Sequence, residues 1–335
     1  MSGAVLRART PATDALRDIQ APVAARLEEV VGAMQRIVTD DLPIIREVSS
    51  HLLRMRGKMF RPTLALLASA ATGRAEPRSI SLAAVVELMH LATLVHDDSV
   101  DHSVLRRGLP TVNSLFSHQI SVIMGDFLYS RALTALVRLG DLEILEIVTN
   151  VANELTIGEM RQLAAVDALS FGEAEYCELI RAKTASLISG ACESGALCGA
   201  PEFRAPLREY GDRLGMAFQV ADDILDYTAD QSVTGKPGGL DLREHKVTLP
   251  LIAALPHVSR DGRRRIDELF ATEDPGDDLL ADVIGIVAEA GGIEYARQRG
   301  EQFAHDAERA LRVLPETPVR SALTDAIAYV MDRRF

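Results

Sequence analysis

The chain has 335 residues, a formal net charge of -12, 47% hydrophobic residues, no Trp and only 4% aromatics. That balance supports a sizeable apolar core and argues against bulk-charge binding to nucleic acid or anionic lipid. It still admits an anionic substrate, because local Lys, Arg and metal ions can reverse the sign inside one pocket.

In chain order, residues 1–20 read as a loose N-terminal arm carrying Pro11, and residues 21–335 as one domain. Helical periodicity then predicts helices over 23–39, 43–55, 60–72, 79–101, 114–138, 141–167, 173–198, 203–229, 247–255, 260–271, 276–290, 292–313 and 316–333. Breaks fall at Gly57, at Gly73 with Pro77, at Gly108 with Pro110, at Gly199 with Pro201, and across Gly235 to Gly239. No alternating β pattern is present, so the expectation is a single all-α domain. The stretch Ile80–Val95 is interrupted by Glu87 and His90, which predicts no transmembrane segment. Cys177, Cys192 and Cys198 form no CxxC pair and suit buried thiols in a reducing compartment. With no signal-peptide core at the N-terminus, the expected location is the cytoplasm.

Two predicted helices carry DDxxD in apolar surroundings: Asp97, Asp98 and Asp101 after Thr93-Leu94-Val95, and Asp222, Asp223 and Asp226 after Val220-Ala221. Positions i and i+4 share a helix face, so Asp97 stacks on Asp101 and Asp222 on Asp226. A solvated acidic face would explain one such cluster, but two in apolar helices call for a counter-charge. Crowded carboxylates repel and resist desolvation, and Mg²⁺ relieves both costs while leaving positions for phosphate oxygens. Helical bundles build such sites from facing helices. Cations that match a phosphate ligand stand at Lys58 and Arg61, at Arg106 and Arg107, at Lys183, and at Lys236 and Lys246.

The blocks VELMHLATLVHDDSVDHSVLRRGLPTVN and GMAFQVADDILDYTAD followed by GKPGGLDLREHKVTLPL resemble the trans-polyprenyl diphosphate synthases. The similarity runs from about residue 50 to 255 and continues more weakly into the closing helix at Tyr329. The resemblance implies the isoprenoid synthase fold: about ten core helices around a central deep pocket, in a homodimer. It implies Mg²⁺, three ions per site, on Asp97, Asp98, Asp101, Asp222, Asp223 and Asp226. Arg106, Lys183, Lys236 and Lys246 would then contact the allylic diphosphate, and Lys58, Arg61, His90 and Arg107 isopentenyl diphosphate. Thr184 and Gln219 would steady the allylic cation with their oxygen dipoles. Two departures stand out: Met59 where a second basic residue is frequent, and a Gly238-Gly239 pair that would loosen the loop carrying Lys236.

The implied reaction ionises the allylic diphosphate, adds the isopentenyl double bond to the cation and loses a proton, with water kept out. Chain length would follow pocket depth. Ala92 and Thr93 lie roughly 6–7.5 Å below Asp97 at helical rise, and both are small. Met89 would line the next level, and Met124, Phe127 and Leu128 the floor. A long-chain product follows, released through transient membrane contact. The alternatives are a geranylgeranyl or farnesyl diphosphate synthase of the same family, a terpene cyclase, or a non-catalytic partner subunit. The second full DDxxD and the set Lys58, Arg61 and Arg107 count against the cyclase.

Overall fold

The computed structural model describes residues 12–55, 57–74, 76–164, 168–228 and 238–332, and they form an all-α bundle. Its centre is the helix Arg78–Val100 (here α5), buried on nearly all sides by Leu82, Val85, Leu88, Met89, Ala92 and Val95. A helix apolar all round belongs inside a bundle. Around it lie α1 (Ala12–Gln20), α2 (Ala24–Val38), α3 (Pro43–Arg54), α4 (Phe60–Ser69) and α6 (His118–Arg138). They are followed by α7 (Leu142–Ala164), α8 (Glu173–Ile180), a π turn over Arg181–Ala185, and α9 (Ser186–Gly199). The second acidic motif rides on α10 (Arg204–Thr228), which packs chiefly against α9 and against α14 (Gly292–Ala310).

The remaining helices are α11 (Leu249–Ala254), α12 (Arg260–Ala271), α13 (Asp277–Glu289) and α15 (Pro318–Met331). Parts of α11, α12 and α13 share a smaller core of Leu251, Ile266, Leu269, Leu280, Val283 and Val287 with Tyr227. This satellite cluster backs the C-terminal end of α10.

Three local expectations change. Residues 12–20 are helical rather than loose: Leu16 and Ile19 are buried at helical spacing, and α1 packs on α15. The segment 173–198 is not one regular helix but is interrupted by the π turn. A short antiparallel hairpin pairs Leu105 with Pro110 and Arg106 with Leu109. Its two connecting residues, Arg107 (φ 53°) and Gly108 (φ 75°), both have positive φ. Such tight turns match the strand twist.

By length and composition alone, Arg78–Val100 and His118–Arg138 are apolar enough to cross a membrane, which the interrupted stretch Ile80–Val95 did not suggest. In the fold they pack on each other, and α5 lies at the centre of the core, which accounts for its hydropathy.

Candidate active site

The first acidic motif ends α5. Asp98 is buried and accepts from Arg106 Nε at 2.6 Å, so the hairpin folds back to hold this carboxylate. Asp97 is half-buried, and its carboxyl is pushed up to about 6 by burial, then by the charges of Glu159 and Asp101, against the opposing field of Lys183. Asp101 is exposed at the helix end, where its backbone N–H donates to the Asp97 carbonyl at 2.8 Å.

The second motif divides differently. Asp223 is buried, accepting from Tyr176 Oη at 2.5 Å and from Gln219 Nε2 at 2.8 Å. Burial raises its carboxyl to about 8, while those two hydrogen bonds pull the other way. The carboxylate of Asp226 accepts from the backbone N–H groups of Leu240 (3.0 Å) and Asp241 (2.9 Å), and its carbonyl accepts from Gly239 at 2.8 Å. Gly239 is therefore tied to α10, while the loop whose loosening was expected lies outside the described residues. Lys236 lies outside the described residues. Asp222 is exposed on the same helix.

Charges cross between the motifs. Lys246 resists the lowering effect of burial: a 2.6 Å ion pair with Glu244 and the charges of Asp241 and of Asp101 raise it. Asp241, which sequence reasoning missed, is itself raised to about 6 by burial and then by Asp226. Lys183, in the π turn, is held by Glu159 at 2.9 Å and by Gln162. Glu159 and Gln162 were also missed, since a Glu and a Gln three apart in a helix carry no distinctive signal. Thr184 Oγ1 donates to Gln219 Oε1 at 2.9 Å, linking the π turn to α10. The approach depends on Gly215, where an added Cβ would fall 2.5 Å from Ala185 Cα.

A second cationic group lies over the side of α5. Arg61 Nη1 meets His90 Nε2 at 3.1 Å, so the imidazole accepts and is neutral. Burial, followed by Arg61, Arg107 and Arg106, holds the His90 pKa well below its usual value. Arg107 donates to the Met55 carbonyl at 2.8 Å and covers Gly57, where a Cβ would lie 2.5 Å from the guanidinium. Lys58 sits over the Tyr329 ring at 5.8 Å. Its carbonyl accepts from Gln20 Nε2 at 2.9 Å, so α1 helps to fix this turn. Burial raises the carboxyl of Glu87, and the charges of Arg61 and Arg107 pull the other way.

Of the chain-length candidates, Met89, Ala92, Met124 and Leu128 are buried. Thr93 donates to the His90 carbonyl at 2.8 Å, and Phe127 lies beneath Arg131 at 5.5 Å. A groove of about 720 Å³ between α2 and α3, lined in part by Arg46 and Arg54, contains none of these residues and none of the acidic ones.

Among the described residues no three acidic, His or Cys side chains form a ready-made metal cage. The donor chemistry nevertheless fits Mg²⁺, which takes one or two carboxylates and completes its shell with water and phosphate oxygens. Burial, then the charges of Glu159 and Asp101, raise the Asp97 carboxyl, and a bound divalent cation would favour its ionised form.

An all-α bundle with paired acidic motifs and a flanking cationic cluster defines a diphosphate-handling enzyme. Residues 42–287 match the polyprenyl synthetase family model. An all-trans-nonaprenyl-diphosphate synthase (geranyl-diphosphate specific) from Rhodobacter capsulatus is 39% identical over 96% of this chain and 99% of its own. Octaprenyl diphosphate synthase of Escherichia coli is 38% identical over 92% of this chain and 96% of its own. The crystal structure of a polyprenyl synthase from Caulobacter crescentus, complexed with calcium and isoprenyl diphosphate, superposes with a TM-score of 0.89 at 31% identity, covering 96% of this chain and 98% of that one. The chain belongs to the polyprenyl synthetase family and is a prenyltransferase.

Proposed function

We propose that this enzyme joins an allylic diphosphate, farnesyl or geranylgeranyl, to successive isopentenyl diphosphates and releases a long-chain all-trans polyprenyl diphosphate. The observation that carries the reading is the set of contacts joining the two acidic motifs to partners on separate elements: Arg106 on Asp98 at 2.6 Å, Tyr176 and Gln219 on Asp223, and Thr184 on Gln219. Mg²⁺ bound by Asp97, Asp98, Asp101, Asp222, Asp223 and Asp226, three ions per site, would supply Lewis-acid stabilisation of the leaving diphosphate.

The chain's own residues do the rest. Arg106, Lys183, Lys236 and Lys246 bind the allylic diphosphate and stabilise charge as it leaves. Lys183, paired with Glu159 here, exchanges that carboxylate for a phosphate oxygen. Lys58, Arg61, His90 and Arg107 orient isopentenyl diphosphate, with His90 neutral and donating from its other ring nitrogen. Thr184 and Gln219 turn oxygen lone pairs to the cation. Apolar walls from α5 and α6 exclude water, which would otherwise capture the cation. The small residues Ala92 and Thr93 leave the depth below Asp97 open to a growing chain.

The enzyme acts as a homodimer in the cytoplasm. Val122, Ile123, Val137, Leu142, Ile157, Met160 and Leu163 are exposed on α6 and α7, an apolar surface suited to a second copy. The cysteines are free thiols, two of them buried.

The test is incubation of the full chain with Mg²⁺, labelled isopentenyl diphosphate and each primer in turn, followed by sizing of the products. Products longer than geranylgeranyl are expected. Turnover of farnesyl diphosphate without isopentenyl diphosphate would assign a cyclase instead, and an inactive purified chain would assign a partner subunit.

A further inference from the structure

Two tyrosines of this bundle are fully buried, and their hydroxyls end differently. Tyr210 donates to a backbone carbonyl, that of Leu323, at 2.8 Å, the ordinary way to satisfy a phenol in a core. Tyr176 donates at 2.5 Å to Asp223 Oδ2, inside the second acidic motif. The other oxygen of Asp223 accepts from Gln219 Nε2 at 2.8 Å, and Gln219 Oε1 accepts from Thr184 Oγ1 at 2.9 Å.

We propose that Tyr176 is a positioning residue for prenyl transfer, fixing through Asp223 the direction in which Gln219 and Thr184 present their oxygens. The inference rests on the reading of those two residues given above, and adds what orients them.

Every hydrogen in this chain of bonds points toward Asp223. Both oxygens of Asp223 accept, one from Tyr176 Oη and one from Gln219 Nε2, and this sets the polarity of the rest. Gln219 must turn its amide nitrogen to Asp223, which leaves its oxygen for Thr184. The Thr184 proton is spent on that oxygen, so lone pairs, not a proton, remain to meet an electron-poor carbon. Tyr176 holds the carboxylate from its far side and stops it rotating away with the Gln219 amide.

The backbone is built for this arrangement. Tyr176 and Thr184 are eight positions apart in the chain, which on a regular helix leaves them roughly 80° out of register. The π turn over Arg181–Ala185 begins after Tyr176 and contains Thr184, and its wider turn takes up about one extra residue. The effective spacing becomes about seven, close to two full turns, and both side chains then face α10. Gln219 and Asp223 answer from α10 at i and i+4, one face of that helix.

The experiment is Tyr176→Phe in the full chain, which keeps the ring and its packing. We expect the single-turnover rate of condensation to fall by about tenfold or more while KM for both diphosphates stays within about twofold, as loss of a hydrogen bond acting only on the transition state requires. Helical circular dichroism stays as in wild type. A second arm combines Tyr176→Phe with Gln219→Leu: because Tyr176 acts through Gln219, the double variant is no slower than Gln219→Leu alone. An unchanged rate, a rate loss matched by rises in both KM values, or losses that multiply in the double variant would each overturn the proposal. A wild-type chain that fails to join the two diphosphates removes the reaction itself. An active wild type equalled by Tyr176→Phe removes only the role of Tyr176.

Discussion

At the scale of single residues, identical aspartates do different work because their neighbours differ. Asp98, Asp223 and Asp226 spend oxygens on Arg106, on Tyr176 with Gln219, and on two backbone N–H groups. Asp97 is instead raised to about 6 by burial, then by Glu159 and Asp101, and Asp241 to about 6 by burial, then by Asp226. Both folded values lie above the ordinary 3.8, so the protonated form favours folding. That contribution is complete below the ordinary carboxylate range and is lost as pH rises through about 6. Magnesium binds the ionised form, so the gain in Tm on adding Mg²⁺ with inorganic diphosphate should be larger at about pH 7.5 than at about pH 5. An equal gain at both, read by thermal melting, would contradict the assignment of Asp97 to the cation. Asp97→Ala and Asp222→Ala should each cut kcat by about a hundredfold or more, with the thermal midpoint little changed.

At the scale of elements, the site depends on where helices stop or slip. The π turn delivers Lys183 toward α7 and Thr184 toward α10, and Gly215 lets α10 come close enough to receive it. Gly215→Val should destabilise the fold by about 1–3 kcal/mol through overpacking and should also lower kcat, because it parts Thr184 from Gln219. Denaturant melts and steady-state rates check the two effects separately, and a stable, fully active variant would count against the close seam. The hairpin with its positive-φ Arg107 is the second such device: one arginine turns back to Asp98 and the next crosses to Met55. Neither feature was legible from periodicity. A π turn leaves the spacing of apolar residues nearly intact over the flanking turns, and two-residue strands are too short to show alternation. The helix over 12–20 is legible in principle, since Leu16 and Ile19 fall at helical spacing and both are buried, but with Pro11 before it the segment is too short for a clear apolar period.

At the scale of the molecule, the bundle places a deep apolar stack beneath a charged rim. Met89 and Ala92 on α5 and Met124 and Leu128 on α6 share one buried core below Asp97. Ala92→Phe should shorten the product by several isoprene units, resolved by chromatography of the dephosphorylated alcohols; an unchanged length distribution would show that the depth is set elsewhere. The exposed apolar face of α6 and α7 argues for a second copy. Ile123→Glu combined with Leu163→Glu should turn a dimer into a monomer in sedimentation, and a wild-type chain that sediments as a monomer would end that reading.

What the amino-acid order settled alone was whatever is written in local spacing: the all-α class, most helix limits, the two aspartate triplets on their faces and the cations that accompany them. Periodicity and i, i+4 geometry are properties of one helix and need no partner to be read. The tertiary structure decided how those groups meet: Tyr176 on Asp223, Lys183 on Glu159, Arg106 on Asp98, and Thr184 on Gln219. Those pairings join separate elements, and hydrogen-bond reach and burial fix them only once the helices have packed.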